Sequence, residues 1–478
     1  MKNIFYKITI FSLIIGAFAS CEKELDQVPF DEFGTENAYV TAADFENAIR
    51  GVYSTLTSGG FYGGSDAGGM LDAPDVLADN VTFAQKGRGT RRTLHNWQYG
   101  PADAPLNGLY TSAYRLIYRA NLVITNIQDF EGENKENVLA EAKALRALAH
   151  FDVVTFFGKI PTQSSDANGS LGVAYVTDID PNQEPARETV GAVYDKIIQD
   201  LTDAAAGINV TNDPGRMNRD AVNTLLSRVY LYMGEWQKAV DAANLVSTPV
   251  APRSDVVDVW TDSSRSGLLF YIPNELPILG ISVGVTWSQG GLTNLIPEYV
   301  VSYDFYNSFA EDDIRKEAYT LQAANNADGL QFNAIKKLYG REGQSNGQVD
   351  IKILRAAEAY LNKAEAYFNL GNESAARTAL DAVRTKRYTT PPSGETGSAL
   401  RDAIRLERRF EFAFEYQRFF DLKRWGLPVE RDGFGDLADG TGTPSDQQSL
   451  PAGSNKFQLP IAQSSLDQNP NLVQNPGY

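Results

Sequence analysis

ERRFEFAFEYQRFFDLKRWG, residues 407–426, sets an apolar stripe inside a dense lattice of charge. Phe410, Ala413, Phe414 and Gln417 recur at steps of three and four, so the spacing predicts an amphipathic helix with one apolar and one charged face. On the charged face Glu415 lies three residues before Arg418, and Asp421 three before Arg424. Surface pairs at that spacing stabilise a helix by roughly 0.2–0.5 kcal/mol each. Gly426, with Pro428 two residues on, is the expected C-terminal stop. By spacing alone the stretch is structural.

The same stretch resembles the signature of SusD-like (RagB/SusD) nutrient-binding lipoproteins, with Phe419 or Phe420 standing where that family often has Trp. Further segments resemble the family in the same order: Glu141 to Pro161, Gly215 to Ala243, Ile353 to Leu370, and the chain end FQLPIAQSSLDQNPNLVQNPGY. The resemblance implies a mainly α fold: a tetratricopeptide-like scaffold of helical hairpins with long irregular loops and a few short strands. It also implies a surface-exposed outer-membrane lipoprotein that binds oligo- or polysaccharide. Such proteins act as hinged lids that deliver glycans to a SusC-like TonB-dependent transporter. A peptide-binding lid, as in the RagB branch, is the alternative within the family, and a surface glycoside hydrolase is the remote one.

The hairpins are visible without the resemblance. Tyr230 and Leu231 precede Gly234, with Ala239 and Ala243 after it; Tyr367 and Phe368 precede Gly371, with Ala376 and Leu380 at the same offsets. A turn glycine permits left-handed backbone, and the small residues let a second helix approach. Helical units are expected at about 108–158, 190–246, 352–388 and 398–426, with loop-rich binding regions at about 58–107 and 247–346. Rigid scaffolds commonly carry binding residues on such loops. The Gly- and Asp-rich tail from Asp432 to Ser454 is expected as an exposed loop, and Trp425 as core.

Lys2 and Lys7 precede an uncharged run from Ile8 to Ala19, the pattern of an export signal, and the run is too short to span a bilayer. Phe18-Ala19-Ser20-Cys21 resembles a bacterial lipobox. Residues 1–20 are thus expected as a lipoprotein signal peptide, Cys21 as the acylated N-terminus, and 21–478 as a single SusD-like domain. Lipid chains supply such an anchor through buried methylenes. Glu22, Lys23, Glu24 and Asp26 resemble the acidic tract that sends family members to the outer face of the outer membrane.

The chain carries a formal charge of −17. No basic stripe is available to neutralise phosphates, so nucleic acid is excluded as a partner. Reactive groups are scarce: one cysteine, and two histidines, His95 and His150. His150 falls inside a helical pattern and reads as a satisfied core residue; His95, beside Trp97 and Tyr99, has a possible ligand role. A thiol nucleophile is excluded, and a zinc site built from His and Cys nearly so. Gly343 to Gly347 fits G-x-S-x-G, yet no histidine follows Ser345, so the pattern reads as a flexible connection. Asp178, Asp180, Asn182 and Glu184 alternate as in a calcium loop, but Pro181 and a missing glycine spoil it. No catalytic residue, cofactor or metal is expected.

A sugar presents apolar C–H faces ringed by hydroxyls, so its site pairs flat aromatics with Asn, Asp, Gln or Arg. Two loops hold that mixture. The first runs from Asp79 and Asn80 through Arg88 to Asn96, Trp97 and Tyr99; the second contains Trp287, Gln289 and Asn294. The resemblance implies ligand contact in these same regions. Trp97 and Trp287 lead the expected ligand-binding set, followed by Tyr99, Asn96, Asp79, Arg88, Tyr62 and Phe61, with Trp260 behind them.

Overall fold

A computed structural model of the chain describes residues 38–63, 69–274, 281–288, 294–325, 327–341 and 347–478. The expected signal segment, Cys21, Gln289 and Ser345 lie outside them. Ten longer helices dominate the described residues: α1 Ala42–Leu56, α2 Asn107–Asn126, α3 Lys135–Phe157, α4 Val190–Gly207, α5 Arg219–Met233, α6 Trp236–Asn244, α7 Ala356–Asn369, α8 Glu373–Arg384, α9 Gly397–Glu411 and α10 Arg418–Arg424. None is long and apolar enough to cross a membrane.

The helices pack mostly against their neighbours in the chain. α1 lies on α2, α2 on α3, α3 on α4, α4 on α5, and α7 packs against α5, α6, α8 and α9. This is the stacked-hairpin arrangement, in which each unit buries a face against the next. The two hairpins read from glycine spacing close identically. Gly234 and Gly371 sit at φ 75° and 77°. After them the N–H groups of Glu235 and Asn372 reach back to the carbonyls of Tyr230 and Tyr367. That left-handed closure satisfies the last helical carbonyls. The side chains of Asn218 and Asn372 cap the N-termini of α5 and α8. Helix α3 is central, and from Leu145 to Phe157 every residue is buried.

Among the described residues the strands form four two-stranded antiparallel ribbons: β1 Val81–Phe83 with β3 Tyr299–Val301, β2 Leu268–Ile272 with β6 Ile351–Arg355, β4 Thr320–Ala324 with β5 Gln331–Ile335, and β7 Val429–Glu430 with β8 Ser449–Leu450. The expected mainly α class with a few short strands holds.

The signature stretch departs from expectation in two ways. It is not one helix: α9 ends at Glu411, and Phe414 and Tyr416 take left-handed φ of 61° and 57° before α10 starts. Nor is its charge at the surface. Glu407, Arg408, Glu411, Glu415, Asp421, Lys423 and Arg424 are all buried. Glu411 accepts from Arg355 and Arg387 at 2.7 Å each, and Glu415 from Arg355 and Lys337. Arg408 reaches Asp421 and Asn362, while Arg424 pairs with Glu365 and Asp421. The expected Asp421–Arg424 pair therefore forms, but inside the molecule, and Glu415 and Arg418 take other partners. The break follows from this network. An unbroken helix would keep the carbonyls of Glu411 and Ala413 for itself, whereas here they receive Lys337, and that of Glu411 also Arg355.

Candidate functional site

The β1–β3 ribbon brings the first expected binding loop against the signature helices. The Ser302 N–H donates to the Asn80 carbonyl, just before a short helix, Tyr303–Ser308. Asp79 accepts both Nε and Nη2 of Arg418 at 2.7 Å, and Arg409 donates to Asn80 and to the Asp79 carbonyl. Burial works to raise the Asp79 carboxyl, but Arg409 and Arg418 outweigh it and hold it well below the usual range. Asp79 is a structural anchor.

The remaining expected ligand residues are placed as follows. Trp97 is 6% exposed; its indole donates to the Leu77 carbonyl at 3.0 Å, and Arg431 covers its ring. Trp287 is 1% exposed and packs edge-on against Tyr299 and Phe414. Tyr99 is buried with its hydroxyl near the Lys456 carbonyl, and Asn96 is buried and donates to Asp446. Phe61 and Tyr62 lie in the core, where Tyr62 donates to Asp152 at 2.8 Å. Trp260 is buried beside Tyr319. Arg88 keeps a partly exposed side chain, paired to Glu298 at 3.1 Å. Asn294 is exposed. The structure thus places the five leading aromatics in the frame, with almost no ring surface open to solvent.

Both histidines are structural. His95 lies between the Val76 carbonyl and the Ser445 hydroxyl, and burial with Arg431 nearby pushes its pKa well down. His150 accepts the Val176 N–H, faces the Arg146 carbonyl, and is pushed down to about 3, chiefly by burial. Each is neutral in the native state.

The open aromatic surface comes from residues that composition did not single out. Phe434 is 43% exposed and stands 4.7 Å from half-buried Tyr303, ring centre to ring centre, with the planes tilted by 46°. Gly440, at φ 82°, lies so close beneath that a Cβ would fall 3.1 Å from Phe434 and 3.2 Å from Tyr303. Asp432 ties the two segments together: it accepts the Asp304 N–H at 3.0 Å and the Phe434 N–H at 3.2 Å. Asp304, Asp439 and Thr441 are exposed around this shelf. The shelf starts one residue beyond Ser302, which bonds to the carbonyls of Asp79 and Asn80 in the first expected loop. The sequence reading did not single out these rings, because Phe434 belongs to the Gly- and Asp-rich tail expected to be an exposed loop.

Comparison with known proteins agrees with this architecture. The SusD family model matches residues 332–478, and the model described as starch-binding associating with outer membrane matches residues 37–231. SusD-like protein P2 of Formosa agariphila is 27% identical, covering 99% of each chain. A SusD superfamily crystal structure from Bacteroides thetaiotaomicron superposes with a TM-score of 0.80 at 28% identity, over 91% of this chain and 100% of that one. Another, from Bacteroides vulgatus, gives 0.79 at 26%, over 92% and 100%. With stacked hairpins, a buried signature network and both family models matched in order along its length, this chain belongs to the SusD-like (RagB/SusD) family.

Proposed function

We propose that this protein is an outer-membrane lipoprotein that captures glycans on the Tyr303–Phe434 shelf and delivers them to a TonB-dependent transporter. The observation that carries the reading is the shelf itself: an exposed phenyl ring and a half-buried tyrosine, braced from below by Gly440 and rimmed by carboxylates and a hydroxyl. Apolar C–H faces of a sugar stack on such rings while its hydroxyls donate to carboxylates. The acidic rim favours uncharged sugars. The description of the family model matching residues 37–231, starch-binding associating with outer membrane, supports both ligand class and location. Acylation of Cys21 would supply the anchor, and the resemblance to the family supports a TonB-dependent transporter as the partner.

A glycan-array screen of the purified protein, repeated on Phe434→Ala, tests the reading. Neutral oligosaccharides should bind, and loss of the ring should weaken them by about 1–3 kcal/mol, as for aromatic hot spots. Equal affinity in the variant would remove the shelf from the site.

A further inference from the structure

On the helical side of the molecule a cavity of about 330 Å³ opens between the start of α6 and the end of α10. Trp236, Phe368 and Trp425 give it aromatic walls, and Thr162 and Arg405 give it polar ones. Trp425, expected as core, is only half-buried here; its indole donates to Glu365 at 2.7 Å.

The charges around the cavity do not balance. Arg424 is bidentate to Glu365 at 2.5 and 2.6 Å, and Arg401 pairs with Asp402 at 2.9 Å. Arg405 is half-buried and, among the described residues, has no hydrogen bond or ion pair; its guanidinium lies 4.9 Å from the Trp425 ring centre. A partly exposed guanidinium without a hydrogen-bond partner in the protein keeps its donors available to an anionic ligand.

We propose that this cavity binds one carboxylate-bearing sugar ring, a hexuronate, with its carboxylate on Arg405 and its C–H face on the aromatic wall. The volume is at the small end for ligand pockets, about 300–1,000 Å³, and suits one ring rather than a chain. A guanidinium matches a carboxylate in a planar two-point contact. The site is a local cationic exception in a chain of charge −17, and complements the acid-rimmed shelf by accepting the sugars that the shelf repels.

Saturation-transfer NMR and calorimetry on the full chain, with glucuronate and galacturonate against glucose and galactose, test the proposal. Uronates should bind, the neutral sugars should not compete, and affinity should fall as salt rises. Arg405→Gln should weaken uronate binding by about tenfold or more, equivalent to about 1.4 kcal/mol, while Arg405→Lys should retain part of it. Trp236→Leu gives a second variant that leaves the cation in place and should also weaken binding. Phe434→Ala should leave uronate binding unchanged, which separates this site from the shelf. Equal binding of neutral and acidic sugars, or full affinity in both Arg405→Gln and Trp236→Leu, overturns the proposal. So does tighter binding of a peptide with an aromatic C-terminal residue in competition with uronate.

Discussion

Glu411 shows how single residues hold this frame. Three arginines, Arg355, Arg387 and Arg315, converge on its buried carboxylate. Glu411→Gln would leave buried positive charge uncompensated, and the expected loss is about 3–5 kcal/mol of unfolding free energy by chemical denaturation. Trp287→Ala belongs to the same class. Removing an enclosed indole should cost about 3–5 kcal/mol through the cavity it leaves, with glycan affinity unchanged in the molecules that remain folded. Asp152 gives a pH signature. Burial lifts its carboxyl to about 7, although the Tyr62 hydroxyl and Arg228 pull it down. Its native pKa is above its unfolded value, so the native state holds the extra proton between about pH 4 and 7. That contribution is fully present below about pH 4 and is lost as pH rises through 7, at about 1.4 kcal/mol per pH step. Between pH 5 and 8 the parent should therefore lose more stability than Asp152→Asn; parallel stability curves would contradict this.

At the scale of elements, the hairpins were legible in the sequence because their determinants are local. A turn glycine, a capping asparagine and alanines at fixed offsets act within one window. Gly371 tests this cleanly, since a Cβ there meets nothing within 4 Å. Gly371→Ala should cost about 1–2 kcal/mol through left-handed backbone alone, measured by urea denaturation; a neutral substitution would mean that the turn relaxes freely. The signature stretch was misread because its determinants are distant. Periodicity showed an amphipathic pattern but not that Arg355, Arg387 and Lys337, from other elements, draw the charged face inward. Charge spacing on one helix cannot distinguish a solvated face from a buried network.

At the scale of the whole molecule, the family and the mainly α class were readable from the ordered series of segments, while the Tyr303–Phe434 pair was not. Tryptophans among polar loop residues look like platforms in a linear sequence, yet packing encloses them. The shelf exists only because the β1–β3 ribbon and the tail after β7 bring Tyr303 and Phe434 together from distant parts of the chain. No local window contains both. The resulting picture is an ion-paired helical frame whose large aromatics are mostly consumed by the core, with Phe434 the one exposed phenyl group among the described residues, paired with Tyr303. The most direct measurement is a crystal structure of the protein soaked with a neutral oligosaccharide identified by array. The account predicts a sugar ring on Phe434 and Tyr303, within about 4 Å of the ring atoms. An ordered glycan seated elsewhere, with the shelf bare, would contradict it.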